Sequence, residues 1–234
     1  MTRFLILKLD GPMQAWGTHT FEDYRPSNLF PTRSGLLGLL GACLGIDRND
    51  RENLARLAQS VEFAVRADTS VQRSEDDDPF PKRAMKFTDF HTVEGARKVT
   101  GKPNDNPIIS RREYLHDAVF TVAVGERTGA RFSLAEIEKH LRKPRYTPFL
   151  GRRSCPIARP LFDAWVDAED AKAALAQVPP REGVVYAEGD ALMTDQRLRM
   201  RDVPMHRPHR QFSTRTVYIH APGAKESDDV SEQS

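Results

Sequence analysis

Apolar positions open the chain at residues 3–9, Arg-Phe-Leu-Ile-Leu-Lys-Leu, a run of strand length and composition that Asp10-Gly11-Pro12 ends with turn chemistry. Residues 35–45, Gly-Leu-Leu-Gly-Leu-Leu-Gly-Ala-Cys-Leu-Gly, are apolar nearly all round, and Thr32 or Ser34 just before them can cap a helix. The pattern then predicts a short helix over about 49–59 and a strand over 61–67. In that strand Val61, Phe63 and Val65 alternate with Glu62, Ala64 and Arg66. Residues 111–124 read as one more strand, 126–129 as a turn, and Ser133 with Glu136 as a capping box that opens a helix. The second half is less regular. It predicts a helix near 168–176 and strands near 184–187, 191–201 and 212–219.

Between residues 69 and 110 the periodicity gives way to an aspartate run, prolines, glycines and lysines, with one strand-like piece at 85–93. This reads as an inserted arm. The order strand, helix, strand, arm, strand, helix suits an α+β fold with helices on one face of an antiparallel sheet. The expected organisation is an N-terminal domain over 1–145 carrying the arm at about 72–110, a smaller β-rich region over 146–222, and an acidic, Ser-rich tail over 223–234 that lacks the apolar content to order itself.

Glycines at 35, 38, 41 and 45 fall along one helical stripe, and each costs a helix about 1 kcal/mol relative to alanine. Two reasons could sustain them: close packing against a neighbouring element, or close approach of a ligand to the backbone. Composition narrows the class. Of 234 residues 29% are charged, the formal net charge is only +2, and no apolar run approaches the roughly 20 residues that span a bilayer. Cys43 and Cys155 are too few and too far apart for a disulfide framework, and the N-terminus has no signal-peptide core, which points to the cytoplasm.

Charge distribution says more than its sum. Between 139 and 162 stand Lys139, Arg142, Lys143, Arg145, Arg152, Arg153 and Arg159, with no Asp or Glu among them. Tyr146, Phe149, Thr147 and Ser154 are interleaved. Cations that neutralise phosphates, rings that stack on unpaired bases and hydroxyls that reach a ribose together suit RNA. The competing account is a solvated loop with Tyr146 and Phe149 anchored in the core and the first cations placed at a helix C-terminus by its dipole. A second basic stretch, 197–215, holds six arginines with His206 and His209; Arg197, Arg199 and Arg201 alternate as one face of a strand would require. It reads equally as a nucleic-acid contact or as a charged guard on a sheet edge.

Enzyme signatures fail. There is no His-Glu-x-x-His, Cys-x-x-Cys or Gly-x-Ser-x-Gly, and the phosphate-loop-like piece at 95–102 has Pro103 where a hydroxyl is required. Asp76, Asp77 and Asp78 sit in the polar arm and read as solvated. The neighbouring arginines would depress the Cys155 thiol, yet no base is placed beside it. His91, with Tyr114 and Lys86, could supply metal-independent RNA cleavage by acid and base catalysis, although a lone histidine is usually not catalytic. No cofactor and no metal is expected.

Four segments carry a resemblance: Leu-Asp-Gly-Pro-Met-Gln-Ala-Trp-Gly at 9–17, Phe-Pro-Thr-Arg-Ser-Gly-Leu-Leu-Gly-Leu-Leu-Gly-Ala-Cys-Leu-Gly at 30–45, Arg-Glu-Tyr-Leu at 112–115, and Lys-Pro-Arg-Tyr-Thr-Pro-Phe-Leu-Gly-Arg-Arg-Ser-Cys-Pro at 143–156. Together they resemble the CasD subunits of Cascade, the type I-E CRISPR surveillance complex, within the repeat-associated RNA-binding superfamily. The resemblance implies an RRM-like, ferredoxin-like sheet with an inserted thumb hairpin. It implies a non-catalytic subunit that caps the 5′ handle of mature crRNA and supports antiviral DNA targeting. Its partners would be the crRNA, the adjacent backbone subunit and the large PAM-reading subunit, with target DNA engaged only indirectly and no membrane.

By position, the implied RNA contacts are Gln14, Trp16 and Gly17; the helix start at Arg33 and Ser34, where free N–H groups suit a phosphate; and Lys143, Arg145, Tyr146, Thr147, Arg152 and Arg153. The implied thumb carries Lys82, Arg83, Lys86, His91, Arg97, Lys98 and Arg111, facing RNA or a neighbouring subunit. The alternative activity is a metal-independent endoribonuclease that processes CRISPR repeat RNA, and a blander one is a general single-strand RNA binder.

Overall fold

The computed structural model describes residues 1–18, 23–68, 85–98, 100–102, 104–188, 196–207 and 211–220. The aspartate run with Lys82 and Arg83, His209 and the tail after Gly223 lie outside the described residues. In chain order the elements are β1 (Thr2–Asp10), the short β2 (Met13–Gln14), β3 (Trp16–Gly17), β4 (Tyr24–Arg25) and β5 (Ser27–Asn28), then α1 (Arg33–Leu44), α2 (Arg51–Ser60) and β6 (Val61–Asp68). There follow β7 (Met85–Val93), β8 (Ile108–His116), β9 (Val119–Glu126), α3 (Leu134–Arg142), β10 (Phe162–Ala168), α4 (Ala171–Gln177), β11 (Gly183–Ala187), β12 (Gln196–Pro204) and β13 (Phe212–His220).

Seven strands form one sheet in the order β10-β1-β9-β6-β11-β13-β12, and every pairing in it is antiparallel. Its first four strands with their helices run β-α-β-β-α-β, the split pattern that places the first strand between the last and the third. Strands from the expected C-terminal region therefore extend the sheet begun by β1. Alternation along β1 sends Leu5, Leu7 and Leu9 into the larger core with α1 and α3, and Phe4 and Ile6 into a smaller core with Leu175 and Val178. The expectation of helices on one face is thus corrected. α4 covers the opposite face, because Phe4, Ile6, Ala64 and Ala123 leave a second apolar surface that must be buried.

Local signals explain most boundaries. The Thr32 hydroxyl accepts from the Gly35 N–H to start α1, Gly45 in the left-handed region (φ 76°) ends it, and Ser133 and Asp170 accept from Glu136 N and Ala173 N to start α3 and α4. Two expectations change. The single strand over 111–124 is two, β8 and β9, separated at Asp117 (φ 52°), where the chain leaves the arm and enters the main sheet. The strand β10 was not foreseen; it occupies 162–168 and moves the helix start to Ala171. Its half-buried composition gives a weak period, and pairing along β1 decides the conformation. In the arm, β7 and β8 form an antiparallel hairpin in register from Met85↔His116 to Val93↔Ile108.

Candidate nucleic-acid interface

The basic loop after α3 is built onto two other segments. At the C-terminus of α1 the Arg145 and Tyr146 N–H groups donate to the carbonyls of Cys43 (3.0 Å) and Ala42 (3.1 Å), satisfying orphan acceptors and putting two cationic neighbours at the negative end of the helix. The Arg145 stem lies across Gly45, where any Cβ would collide with it. Further along, Ala15 N donates to Leu150 O (3.1 Å), Ala158 N to Asp10 O (2.9 Å), and Leu150 N to Cys155 O (2.9 Å). Gly151, at φ 86°, brings its α-carbon against the Ala15 carbonyl. Motifs more than a hundred residues apart thereby become one surface.

On that surface Lys143, Arg145, Tyr146, Thr147, Phe149 and Arg153 are exposed, and Gly17 borders them with open space in front of its α-carbon. Tyr146 is 47% exposed and Phe149 37%, so the rings are not core anchors. Among the described residues neither Lys143, Arg145 nor Arg153 has an ion-pair partner, which leaves three cations and two rings facing solvent together.

Other expected contacts lie inside. Gln14 is fully buried; its amide donates to Leu9 O (3.1 Å) and Ala118 O (2.6 Å) and accepts from the Trp16 indole (3.1 Å), so both side chains hold the loop and offer no surface. Arg33 is buried, with its guanidinium on Glu188 (2.8 Å) and on the carbonyls of Ala58 and Val61. Burial lowers its pKa and Glu188 opposes that shift. The helix start is closed to a phosphate, because the Asp202 carboxylate already accepts from Arg33 N at 2.7 Å. Ser34 is half-buried, its hydroxyl 3.4 Å from that of Thr32. Arg152 donates to Glu113 O and Arg25 O (both 2.9 Å) and stacks over Tyr114, so it braces the arm.

The glycine stripe divides its tasks. Gly35 gives room to the Trp16 ring and Gly41 meets Leu54 and Leu57 of α2, whereas Gly38 faces open space. On the hairpin, Lys86 pairs with Glu113 (2.8 Å), while His91 meets Tyr114 OH (3.2 Å) and Asp89 (2.7 Å). Burial raises the Glu113 pKa, but hydrogen bonds from Lys86, Tyr24 and Ser27 N outweigh it and leave it low. The register puts Lys86 on the opposite face from His91 and Tyr114, so these three do not converge on one reacting atom. Arg97 is exposed, Lys98 reaches Asp105 (3.4 Å), and the Arg111 guanidinium lies over Phe90.

Sequence reasoning missed two charged clusters. Arg33, Arg127 and Arg215 gather on Glu188, and Arg215 also pairs with Asp202. Behind α4, Asp68 holds Lys8 (3.0 Å) and Arg66 (2.6 Å). Lys8 inside an apolar strand was the one visible signal. Cys155 also departs from expectation, since burial raises its thiol despite Arg152, and burial pushes Cys43 up to about 12. Neither thiol should react with Ellman's reagent at pH 8 in the native protein and both should in denaturant; rapid native labelling would show that the loop opens.

A model of the family described as CRISPR-associated protein (Cas_Cas5) matches residues 4–218. The chain belongs to the Cas5 family. "CRISPR system Cascade subunit CasD" of Escherichia coli (strain K12) is 47% identical to this Cas5 chain over 220 residues, covering 94% of it and 96% of the relative. Among solved structures, a chain of a "CRISPR RNA-guided surveillance complex" is similar with TM-score 0.72 and 27% identity over 93% of this chain and 89% of its own length. A "Crystal structure of Cas protein" shares the fold with TM-score 0.59 at 24% identity, over 93% and 92% of the two chains. No described helix is long and apolar enough to cross a membrane.

Proposed function

We propose that this Cas5 protein is a non-catalytic, cytoplasmic subunit of a Cascade-type surveillance complex that grips the 5′ handle of the crRNA. The observation that carries it is the cluster of Lys143, Arg145 and Arg153 with Tyr146 and Phe149, exposed together on a loop anchored to α1 and to the turn after β1. Phosphates are met by unpaired cations and splayed bases by rings. The CasD relative and the surveillance-complex chain support the assembly. The strand order of the first four sheet strands supports an RRM-like, ferredoxin-like core, and the β7–β8 hairpin fits a thumb whose exposed Phe90, Val93, Ile108 and Ile109 meet a backbone subunit or the guide. The large PAM-reading subunit is the other protein partner, and target DNA is engaged through the guide.

The test is binding of purified protein to repeat-derived handle RNA and to a scrambled RNA, with and without Arg145→Ala. The substitution should weaken handle binding by about 1–3 kcal/mol. Equal affinity for handle and scrambled RNA, or unchanged affinity in the variant, would overturn the reading. No product should form in EDTA.

A further inference from the structure

The arginines of β12 remain unused by the interface just described. β12 is one edge of the main sheet, and the register sets Arg197 opposite Tyr218 and Arg199 opposite Thr216 on β13, with Tyr218 in turn opposite Ala187 on β11. Cross-strand partners share a face. Ala187 packs with the smaller core, so this is the α4 face of the sheet. Leu198, Met200 and Val217 turn the other way, into the larger core.

α4 covers that face from β10 to β11, and its Lys172 reaches the end of β13 at His220 (3.4 Å), away from the Arg197 and Arg199 positions. Arg197, Arg199, Thr214 and Thr216 are exposed and Tyr218 is half-buried. The neighbouring guanidiniums of Arg33, Arg127 and Arg215 are all held by Glu188 or Asp202, whereas among the described residues no carboxylate meets Arg197 or Arg199. Arg201 differs again, donating to Phe212 O (3.1 Å). A guard on a sheet edge needs only charge. Two guanidiniums without a carboxylate partner among the described residues, beside hydroxyls and a phenol on an exposed strand, are the donor set for a phosphodiester backbone.

We infer that the α4 face of β12 and β13 is a second nucleic-acid surface, which holds a phosphate backbone through Arg197 and Arg199 without reading bases. It is distinct from the basic loop. The loop caps α1 on the opposite face of the sheet. A nucleotide stretch on one surface therefore cannot touch the other without passing around the sheet, so the second surface takes a separate stretch of the same RNA or a different strand.

The experiment uses the full chain and fluorescein-labelled U20 RNA, dT20 and a 20-base-pair DNA duplex, read by anisotropy from 50 to 300 mM NaCl. Binding that survives in K143Q/R145Q/R153Q should be lost on adding R197Q/R199Q and kept on adding R197K/R199K. In the otherwise native chain, R197Q/R199Q should flatten the slope of log K against log salt by about 1.4 for a single strand. Which probe binds most tightly in the loop variant identifies the source of the backbone. No residual binding in the loop variant, or residual binding indifferent to R197Q/R199Q with an unchanged urea midpoint, would overturn the inference. So would Arg-dependent capture of a polyglutamate peptide in preference to all three probes, which would assign the face to an acidic protein. The result does not depend on handle preference, which is read with scrambled RNA.

Discussion

Replacing Asp68 with alanine is expected to lower the free energy of unfolding by about 3–5 kcal/mol, measured by urea titration. The Asp68 side chain is 2% exposed and is the counter-charge of two buried cations, Lys8 and Arg66, themselves 6% and 1% exposed. Lys8 also donates to Thr121 and to Pro179 O (2.7 Å), and Arg66 to Leu175 O and to Val178 O (2.9 Å). The cluster therefore does more than neutralise charge. It ties β1 and β6 in the sheet to the end of α4 and the turn beyond it. Removing the carboxylate leaves two cations in an apolar setting with only neutral acceptors, and the desolvation they suffered is no longer offset. A loss below about 1 kcal/mol would mean that water reaches the cations and that the cluster is not closed.

Gly151→Ala is expected to act at the junction that creates the RNA surface. Its φ of 86° penalises an L side chain by about 1–2 kcal/mol, and a Cβ would fall within the radius of the Ala15 carbonyl oxygen, which belongs to backbone and cannot swing away. Overpacking adds about 1–3 kcal/mol. Stability should fall by about 2–5 kcal/mol in all. Because Ala15 N and Leu150 O must also separate to relieve the contact, affinity for handle RNA should fall together with the urea midpoint. A contrasting result is expected for Arg145→Ala, which should lose affinity with an unchanged midpoint, since its guanidinium faces solvent. If Gly151→Ala kept full affinity and stability, the two loops would not form one unit.

The fate of the arginines shows how far local reasoning carries. Arg33 stands at a helix start in a motif rich in small residues, and by local chemistry it looks poised for phosphate. Its actual partners are Glu188, 155 residues away, and the Asp202 carboxylate, 169 residues away, which takes the Arg33 N–H, while the Thr32 hydroxyl takes that of Gly35. Arg152 and Arg153 are adjacent, yet one is held by two carbonyls and the other is exposed with no ion-pair partner among the described residues. Gln14 and Trp16 are likewise committed inward. The candidate site thus contracts from the whole set of motif residues to Lys143, Arg145, Tyr146, Thr147, Phe149, Arg153 and the border at Gly17.

By itself the sequence determined whatever depends on neighbours within a few residues. Thr32 and Gly45 bound α1, Ser133 opens α3, alternation defines β6, and the run from 139 to 162 concentrates cations with rings because nothing acidic lies among them. Tertiary structure alone decided which face α4 covers, where β10 pairs, and which cations are free. Those outcomes rest largely on ion pairs and strand contacts such as Lys8 with Asp68, 60 residues apart, Arg33 with Glu188, 155 apart, and β1 with β10, whose energies exist only after the chain has closed, and no local pattern encodes them.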